Sequence, residues 1–197
     1  MKTRNLGLII VFALVIILAG CGCNSYNGLV KGDQSVQNAW SNVETNYQRR
    51  MDLYNSVVKT IQGSANFEKS TLTAVIEARA RASSVRVNVN DSNSLAQYQQ
   101  AQGQLQGAFS RLLAVAEAYP QLQTTKAFQD FQAQIEGTEN RISIARRDYN
   151  GEVQKYNLQV RTFPNSIFAG LFHFQPKGYY KADVGSDKAP DINFDIK

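Results

Sequence analysis

Residues Thr125 to Phe163 read TKAFQDFQAQIEGTENRISIARRDYNGEVQKYNLQVRTF. Phe128, Phe131, Ile135, Thr138, Ile142, Ala145, Tyr149, Val153, Tyr156, Val160 and Phe163 step by three and four throughout. That period marks one face of a helix, and here it is sustained long enough to approach a heptad seam. No proline interrupts Gln121 to Phe163, and Phe163-Pro164-Asn165 stops the run. A long helix with a single apolar stripe needs other elements to cover that stripe.

Three earlier stretches have the pattern to do so. From Leu95 to Tyr119, the residues Tyr98, Ala101, Leu105, Ala108, Leu112, Val115 and Tyr119 share a face, with Ser94 as N-cap and Pro120 as stop. Gly103 and Gly107 weaken that helix locally or let a neighbour approach closely. From Asn66 to Val87 the stripe is Leu72, Val75, Ile76, Ala82 and Val85, followed by a loop from Asn88 to Ser94. From Leu29 to Ile61 it is Leu29, Val36, Trp40, Val43, Tyr47, Met51, Tyr54, Val57 or Val58, and Ile61. One turn is skipped near Asp33, and Gly63-Ser64 closes the helix. No strand pattern of comparable strength precedes Phe163. Four amphipathic helices with short connections predict an all-α fold over residues 24–165, an antiparallel up-and-down four-helix bundle.

Ahead of the bundle, Leu6 to Cys23 reads LGLIIVFALVIILAGCGC and carries no charge, while Lys2 and Arg4 precede it. Its core, Leu6 to Gly20, is about 15 residues, short of the roughly 20 of a spanning helix and within the range of a signal-peptide core. Leu18-Ala19-Gly20-Cys21 resembles the bacterial lipobox, which is cut before a cysteine whose sulfur carries lipid. That reading makes Cys21 the lipidation site. The other reading is an uncleaved transmembrane signal anchor, in which the run extends to Cys23. Under either, residues 1–23 form a membrane-targeting segment. The bundle then lies outside the cytoplasm, because Lys2 and Arg4 hold the start of the chain inside. Cys21 and Cys23 are the two cysteines of the chain, so no disulfide framework holds the body. With no histidine near them they do not read as a metal or redox pair.

After Pro164 the character changes. Ser166 to Tyr180 reads SIFAGLFHFQPKGYY. The expected topology returns the last helix to the membrane side. Residues 166–181 are therefore expected to form an aromatic membrane-proximal cap, docking at the bilayer surface or covering the bundle end. Phe168, Leu171, Phe172 and Phe174 are its candidate membrane contacts, with Lys177 and Lys181 beside them. Residues 182–197 read as a polar flexible tail.

Candidate chemistry is sparse. The formal charge of +5 is a mild excess that gives no nucleic-acid footprint. The single histidine, His173, is too few for a histidine-built metal site, and nothing near it completes a triad. Glu68, Glu77, Glu117 and Glu136 lack the Glu-x-x-His motifs of a di-iron bundle and read as solvated faces or intra-bundle partners. Arg49-Arg50, Arg79-Ala80-Arg81 and Arg146-Arg147 read as surface charge, and Trp40 as core. There is no glycine-rich phosphate loop. No catalytic residue, cofactor or metal is expected, so the chain reads as a non-enzyme.

Several stretches are similar to those of a known family. They are Tyr26-Asn27-Gly28-Leu29-Val30, Ala39-Trp40-Ser41-Asn42-Val43, Gln48-Arg49-Arg50-Met51-Asp52-Leu53, and Phe67-Glu68-Lys69 through Ile76-Glu77-Ala78-Arg79-Ala80. Glu139-Asn140-Arg141-Ile142, Ala145-Arg146-Arg147-Asp148-Tyr149-Asn150, Tyr156-Asn157 and Phe163-Pro164 complete the set. Together these resemble the LemA family of bacterial membrane-associated proteins, over nearly everything after the apolar run. One departure stands out. The family usually reads DLIPNLV where Asp52 to Val58 reads DLYNSVV, so the proline position holds Asn55 and the first helix is expected to run straighter. The resemblance implies a four-helix bundle held at a membrane by its N-terminus, and it supplies no activity or site residue.

Two functions follow as expectations. One is a membrane-anchored interaction or scaffold bundle of the bacterial envelope, with membrane lipid and an unidentified envelope protein as partners. The other is an envelope ligand-binding module or an accessory subunit of a membrane enzyme such as a protease.

Overall fold

The computed structural model describes residues 2–62, 68–123 and 125–181; residues 2–11, 14, 15, 17–19, 122 and 123 are described by their backbone alone. The expected stop at Gly63-Ser64 and the tail 182–197 lie outside the described residues. The chain order is α1 (Lys2–Gln62), α2 (Lys69–Ser84), α3 (Ser92–Ala116), α4 (Pro120–Gln123), α5 (Lys126–Arg161) and α6 (Asn165–Leu171). No strand occurs among the described residues.

The first correction concerns α1. The apolar run and the first bundle helix were expected as separate segments, yet they form one helix of 61 residues, about 90 Å long. No proline breaks it, and its glycines at 7, 20, 22, 28 and 32 are too isolated to end a helix that packing supports. It also runs unbroken through Asp52 to Val58, where the family pattern has proline. The expected stripe holds: Leu29, Val36, Trp40, Val43, Tyr47, Met51, Tyr54, Val57, Val58 and Ile61 are all buried.

Helix α5 lies along α1 in the opposite direction: Gly32 abuts Tyr156, Tyr47 meets Arg146 and Arg50 meets Glu139. Thr125 caps α5, its side chain accepting from the Phe128 N–H. The turn that α1's stripe skips near Asp33 is where Gly32 lets the Tyr156 ring and Gln159 approach.

Helices α2 and α3 form a hairpin that docks on the far half of α1. Both ends of α2 fall short of expectation, and Ile76 faces solvent while Ala78 takes the buried place. Asp91, not Ser94, caps α3 by accepting from the Asn93 N–H. The Ser94 hydroxyl instead donates to the Asn88 and Asp91 carbonyls and holds the loop. Pro120 does not stop α3, which has ended at Ala116; it opens the short α4, where a missing N–H costs nothing.

Two cores result. One joins α1, α2, α3 and the start of α5, with Leu72, Val75, Ala78, Leu105, Phe109, Leu112 and Phe128. The other lies nearer the start of α1, where α1 and α5 enclose Val36, Trp40, Val43, Tyr47, Tyr149, Val153 and Tyr156. The short hairpin reaches this second core with Val89, Leu95 and Tyr98 and, part-buried, with Val85 and Val87. Its open side is closed by α6 and the segment after it.

Candidate functional site

Three polar clusters inside the rod are the natural places to look for chemistry. Arg50, read from the sequence as surface charge, is fully buried between the two cores. Its guanidinium donates to Glu139 at 3.2 Å, to the Gln102 carbonyl at 3.2 Å and to the Gln102 side chain at 2.7 Å. It also lies 4.7 Å from the centre of the Tyr47 ring and 5.7 Å from that of Tyr54. A buried cation this well enclosed holds three helices in register and has no open face for a substrate. The second cluster is Arg146, half-buried instead of exposed. Its Nε donates to the Tyr47 hydroxyl at 2.8 Å, and its guanidinium lies over the Tyr180 ring. The third is Lys177, buried and bound to Asp33 and Asn90.

Burial sets the titration of the tyrosines. It pushes Tyr149 up to about 12, and Tyr156 likewise, with Asp33 adding to the latter. It also raises Tyr54 and Tyr98 well above the ordinary phenol range; Arg50 opposes the shift at Tyr54, and Tyr47 adds to it at Tyr98. All four therefore stay protonated in the folded protein at any physiological pH, as donors and packing groups.

His173 has no such surroundings. It is exposed, with φ at 58°. It occupies the left-handed position just past α6. The Phe174 N–H donates back to the Ala169 carbonyl and the His173 N–H to that of Gly170, the Schellman arrangement. Its role is to turn the chain. Glu68, Glu77, Glu117 and Glu136 are all exposed. Among the described residues no three acidic, histidine or cysteine side chains gather as metal ligands. Gly103 and Gly107 do not admit a close neighbour: a Cβ on either meets nothing within 4 Å. They line an open groove of about 730 Å³ along α2 and α3, with Glu77, Arg81 and Arg111 at its edges. Glu77 and Arg81 face each other on one helix, so no set of groups converges on a ligand.

After α6 the chain climbs back along α5 as a strap. Asn157 donates to the Lys177 carbonyl at 3.0 Å and accepts from the Lys177 N–H at 2.7 Å. Asn150 does the same for Tyr180, at 2.9 and 2.8 Å. Tyr149 donates to the Gly178 carbonyl at 2.9 Å. The two asparagines are seven residues apart, about 10.5 Å along a helix. Three residues of extended chain cover about 10 Å, so one helix heptad matches the strap from Lys177 to Tyr180. At two places this segment is part of the bundle itself. Lys177 and Tyr180 belong to the fold, and only Tyr179 and Lys181 of that group face solvent.

The remaining aromatic segment lies beside α1 where the apolar run ends. The Phe168 ring lies against Gly22, Phe172 meets Tyr26 edge-on at 4.9 Å, and Phe174 does so at 5.8 Å. Phe168 and Phe174 are half-buried by these contacts, and Phe172 keeps one side exposed. Ile167 and Leu171, one turn apart on α6, are 60% and 67% exposed, and Phe163 just before it is 81% exposed. The result is an apolar collar at the foot of the rod, level with Cys21 and Cys23, which are exposed free thiols. Among the described residues, no helix is long and apolar enough to cross a membrane.

The fold is a helical rod with a buried polar interior, no assembled catalytic group among the described residues, and one apolar end. Within that interior the Arg50 Nε, Gln102 Nε2 and Trp40 Nε1 have no hydrogen-bond partner. The LemA family model matches residues 39–194, and the chain belongs to the LemA family. It is 24% identical over 181 residues to magnetosome protein MamQ 2 of Paramagnetospirillum magneticum, covering 82% of this chain and 66% of that protein. It is 26% identical over 137 residues to protein LemA of Metamycoplasma hominis, covering 70% and 60%. The chain thus spans about two thirds or less of the length of these curated relatives.

Proposed function

We propose that this protein is a non-enzymatic interaction or scaffold bundle of the bacterial envelope, tethered at the start of α1 and seated on the bilayer by its apolar collar. In this reading α1, α2, α3 and α5 act as an up-down-up-down bundle that projects away from the membrane. The observation that carries it is the collar's position. Phe163, Ile167 and Leu171 are exposed at the level of Gly22 to Tyr26, where the charge-free run Leu6 to Cys23 ends. That run covers about 27 Å as a helix, close to the roughly 30 Å of a bilayer's hydrocarbon. An apolar face at that height meets the headgroup region, where rings and aliphatic side chains lose water. Lipid on Cys21 in place of a spanning helix leaves the collar at the same height.

Tryptophan scanning of the full chain in vesicles tests this. Trp40 is buried among Tyr98 and Tyr149 and serves as an internal control. Leu171→Trp and Ile167→Trp, each combined with Trp40→Phe, are expected to be quenched by lipids brominated near the headgroup, while native Trp40 is not. A tryptophan at 171 that brominated lipid leaves unquenched sinks the collar's contact with lipid. Intact-mass measurement separates the anchors: a chain starting at an acylated Cys21 supports the lipoprotein, and an unlipidated chain retaining Met1 to Gly20 supports the signal anchor.

A further inference from the structure

The outer face of α5, opposite its buried stripe, carries Gly137, Ile144, Gly151 and Leu158, one every seven residues. Ile144 and Leu158 are 41% and 62% exposed. A Cβ built on Gly137 or Gly151 meets nothing within 4 Å. Glycine inside a helix weakens it relative to alanine, so the chain's own packing gives no reason for either. Seven residues are two turns to within about 20°, so the four positions form a nearly straight seam that alternates hole and knob.

For two copies related by a two-fold axis, that alternation is self-complementary in one direction only, because a parallel pair must then lie in register. Lay a second α5 antiparallel to the first, with a two-fold axis between Arg147 and Asp148. Each Ile144 then falls opposite Gly151 of the second copy, and each Leu158 opposite Gly137. The same axis sets each Arg147 opposite an Asp148. Both side chains are exposed, and among the described residues neither has an ion-pair partner. A parallel pairing would instead set glycine on glycine and Arg147 on Arg147, leaving gaps and like charges in contact. We infer that this face is a self-association surface on which α5 of a second copy docks antiparallel, as an isologous dimer. A single helix face buries less than a standard interface, so the expected affinity is in the micromolar range, about 1 to 100 µM.

One consequence rests on the tethered reading above. The axis is level with Tyr47, since Arg146 contacts it, and thus about 36 Å beyond Cys23 by helical rise. The dimer then holds its two anchors about 70 Å apart at opposite ends, while each rod reaches about 60 Å from its own anchor to Gln62. It joins two facing bilayers.

Light scattering on the detergent-solubilised full chain tests the surface. The wild type is expected to dimerise, and Arg147→Asp and Asp148→Arg are each expected to raise the Kd by about tenfold or more. An equimolar mixture of the two variants restores dimers, because each then meets its opposite charge. Mixing an Ile144→Cys chain with a Gly151→Cys chain is expected to give a 144–151 disulfide by peptide mapping. A wild type monomeric at about 100 µM, a dimer indifferent to both charge variants, or a 144–144 disulfide overturns the proposal. Proteoliposomes test the consequence separately. Wild-type vesicles are expected to cluster, and Arg147→Asp vesicles to cluster only when Asp148→Arg vesicles are added. Dimers in detergent without clustering leave the self-association standing and overturn the tethered geometry.

Discussion

The two cores of this rod share α1 and α5 and are closed in different ways. Beyond Arg50, the α2–α3 hairpin completes the enclosure with aliphatic and alanine side chains, among them Leu72, Val75, Ala78, Leu105 and Ala108. Below Arg50 the hairpin has turned back, and an irregular strap takes its place. A helix brings its backbone already hydrogen-bonded and needs only an apolar stripe. An irregular segment brings bare amides, and burying them requires a partner for each. Asn150, Asn157 and Tyr149 supply those partners, which is why the lower core is the more polar and the richer in tyrosine.

Trp40→Ala is expected to have the largest effect on the lower core. Trp40 sits in the lower core, edge-on to Tyr98 and Tyr149 at 5.5 and 5.4 Å. Its truncation is expected to cost about 3 to 5 kcal/mol by denaturant midpoint. A loss under about 1 kcal/mol would mean that the lower core relies on the strap and not on ring packing.

Asn157→Ala removes two strap bonds at once. The expected loss is about 2 kcal/mol, with faster amide exchange at residues 177–180 and unchanged protection around Leu105 to Leu112. Equal loosening of both regions would show one cooperative unit in place of two.

Alkaline pH probes the lower core next. Tyr149 and Tyr156 are pushed up to about 12 when folded, against about 10 for an unfolded phenol. Below pH 10 both states hold the proton, and stability does not change through these groups. From pH 10 to 12 the unfolded chain releases protons that the folded chain keeps, so stability falls by up to about 1.4 kcal/mol per pH unit for each tyrosine. Tyr156→Phe should flatten that slope by about one tyrosine's share. A slope unchanged by the substitution rules out Tyr156 as a source.

The smallest effect has the opposite sign. Gly107 is in the interior of α3 with open space beside it, so Gly107→Ala is expected to stabilise the upper half by about 0.5 to 1 kcal/mol. A loss in thermal midpoint would show that the groove needs the missing side chain.

Some of this was legible from the start, and the failures have identifiable causes. The buried stripe of α1, and that of α5 as far as Val160, follow directly from their three-and-four spacing. Phe163, the last residue of the same pattern, lies past the end of α5 and is exposed, because the spacing does not say where packing partners run out. Ile76 was misplaced because Ala78 serves the same helix face, and in an alanine-dense helix size does not reveal which residue points inward. Arg50 and Arg146 looked like surface charge because arginine is seldom buried, and only the carboxylate, amide and rings brought by other helices make burial tolerable. The strap left no periodic signal. Its two asparagines are spaced like any pair on a heptad, and its backbone partners lie 20 and 30 residues further along.

Spacing and composition were enough to read the long helices, the absence of proline from their interiors, the apolar run at residues 6–23 and the family. These are local properties, written in spacing and composition. Tertiary structure alone decided that the apolar run and the first bundle helix are one element, and that Lys177 and Tyr180 turn inward. It also decided that Phe163, Ile167 and Leu171 stay outside at the foot of the rod. The reason is physical: whether a polar or aromatic side chain is buried depends on what meets it from distant parts of the chain, and spacing along one helix carries no record of that.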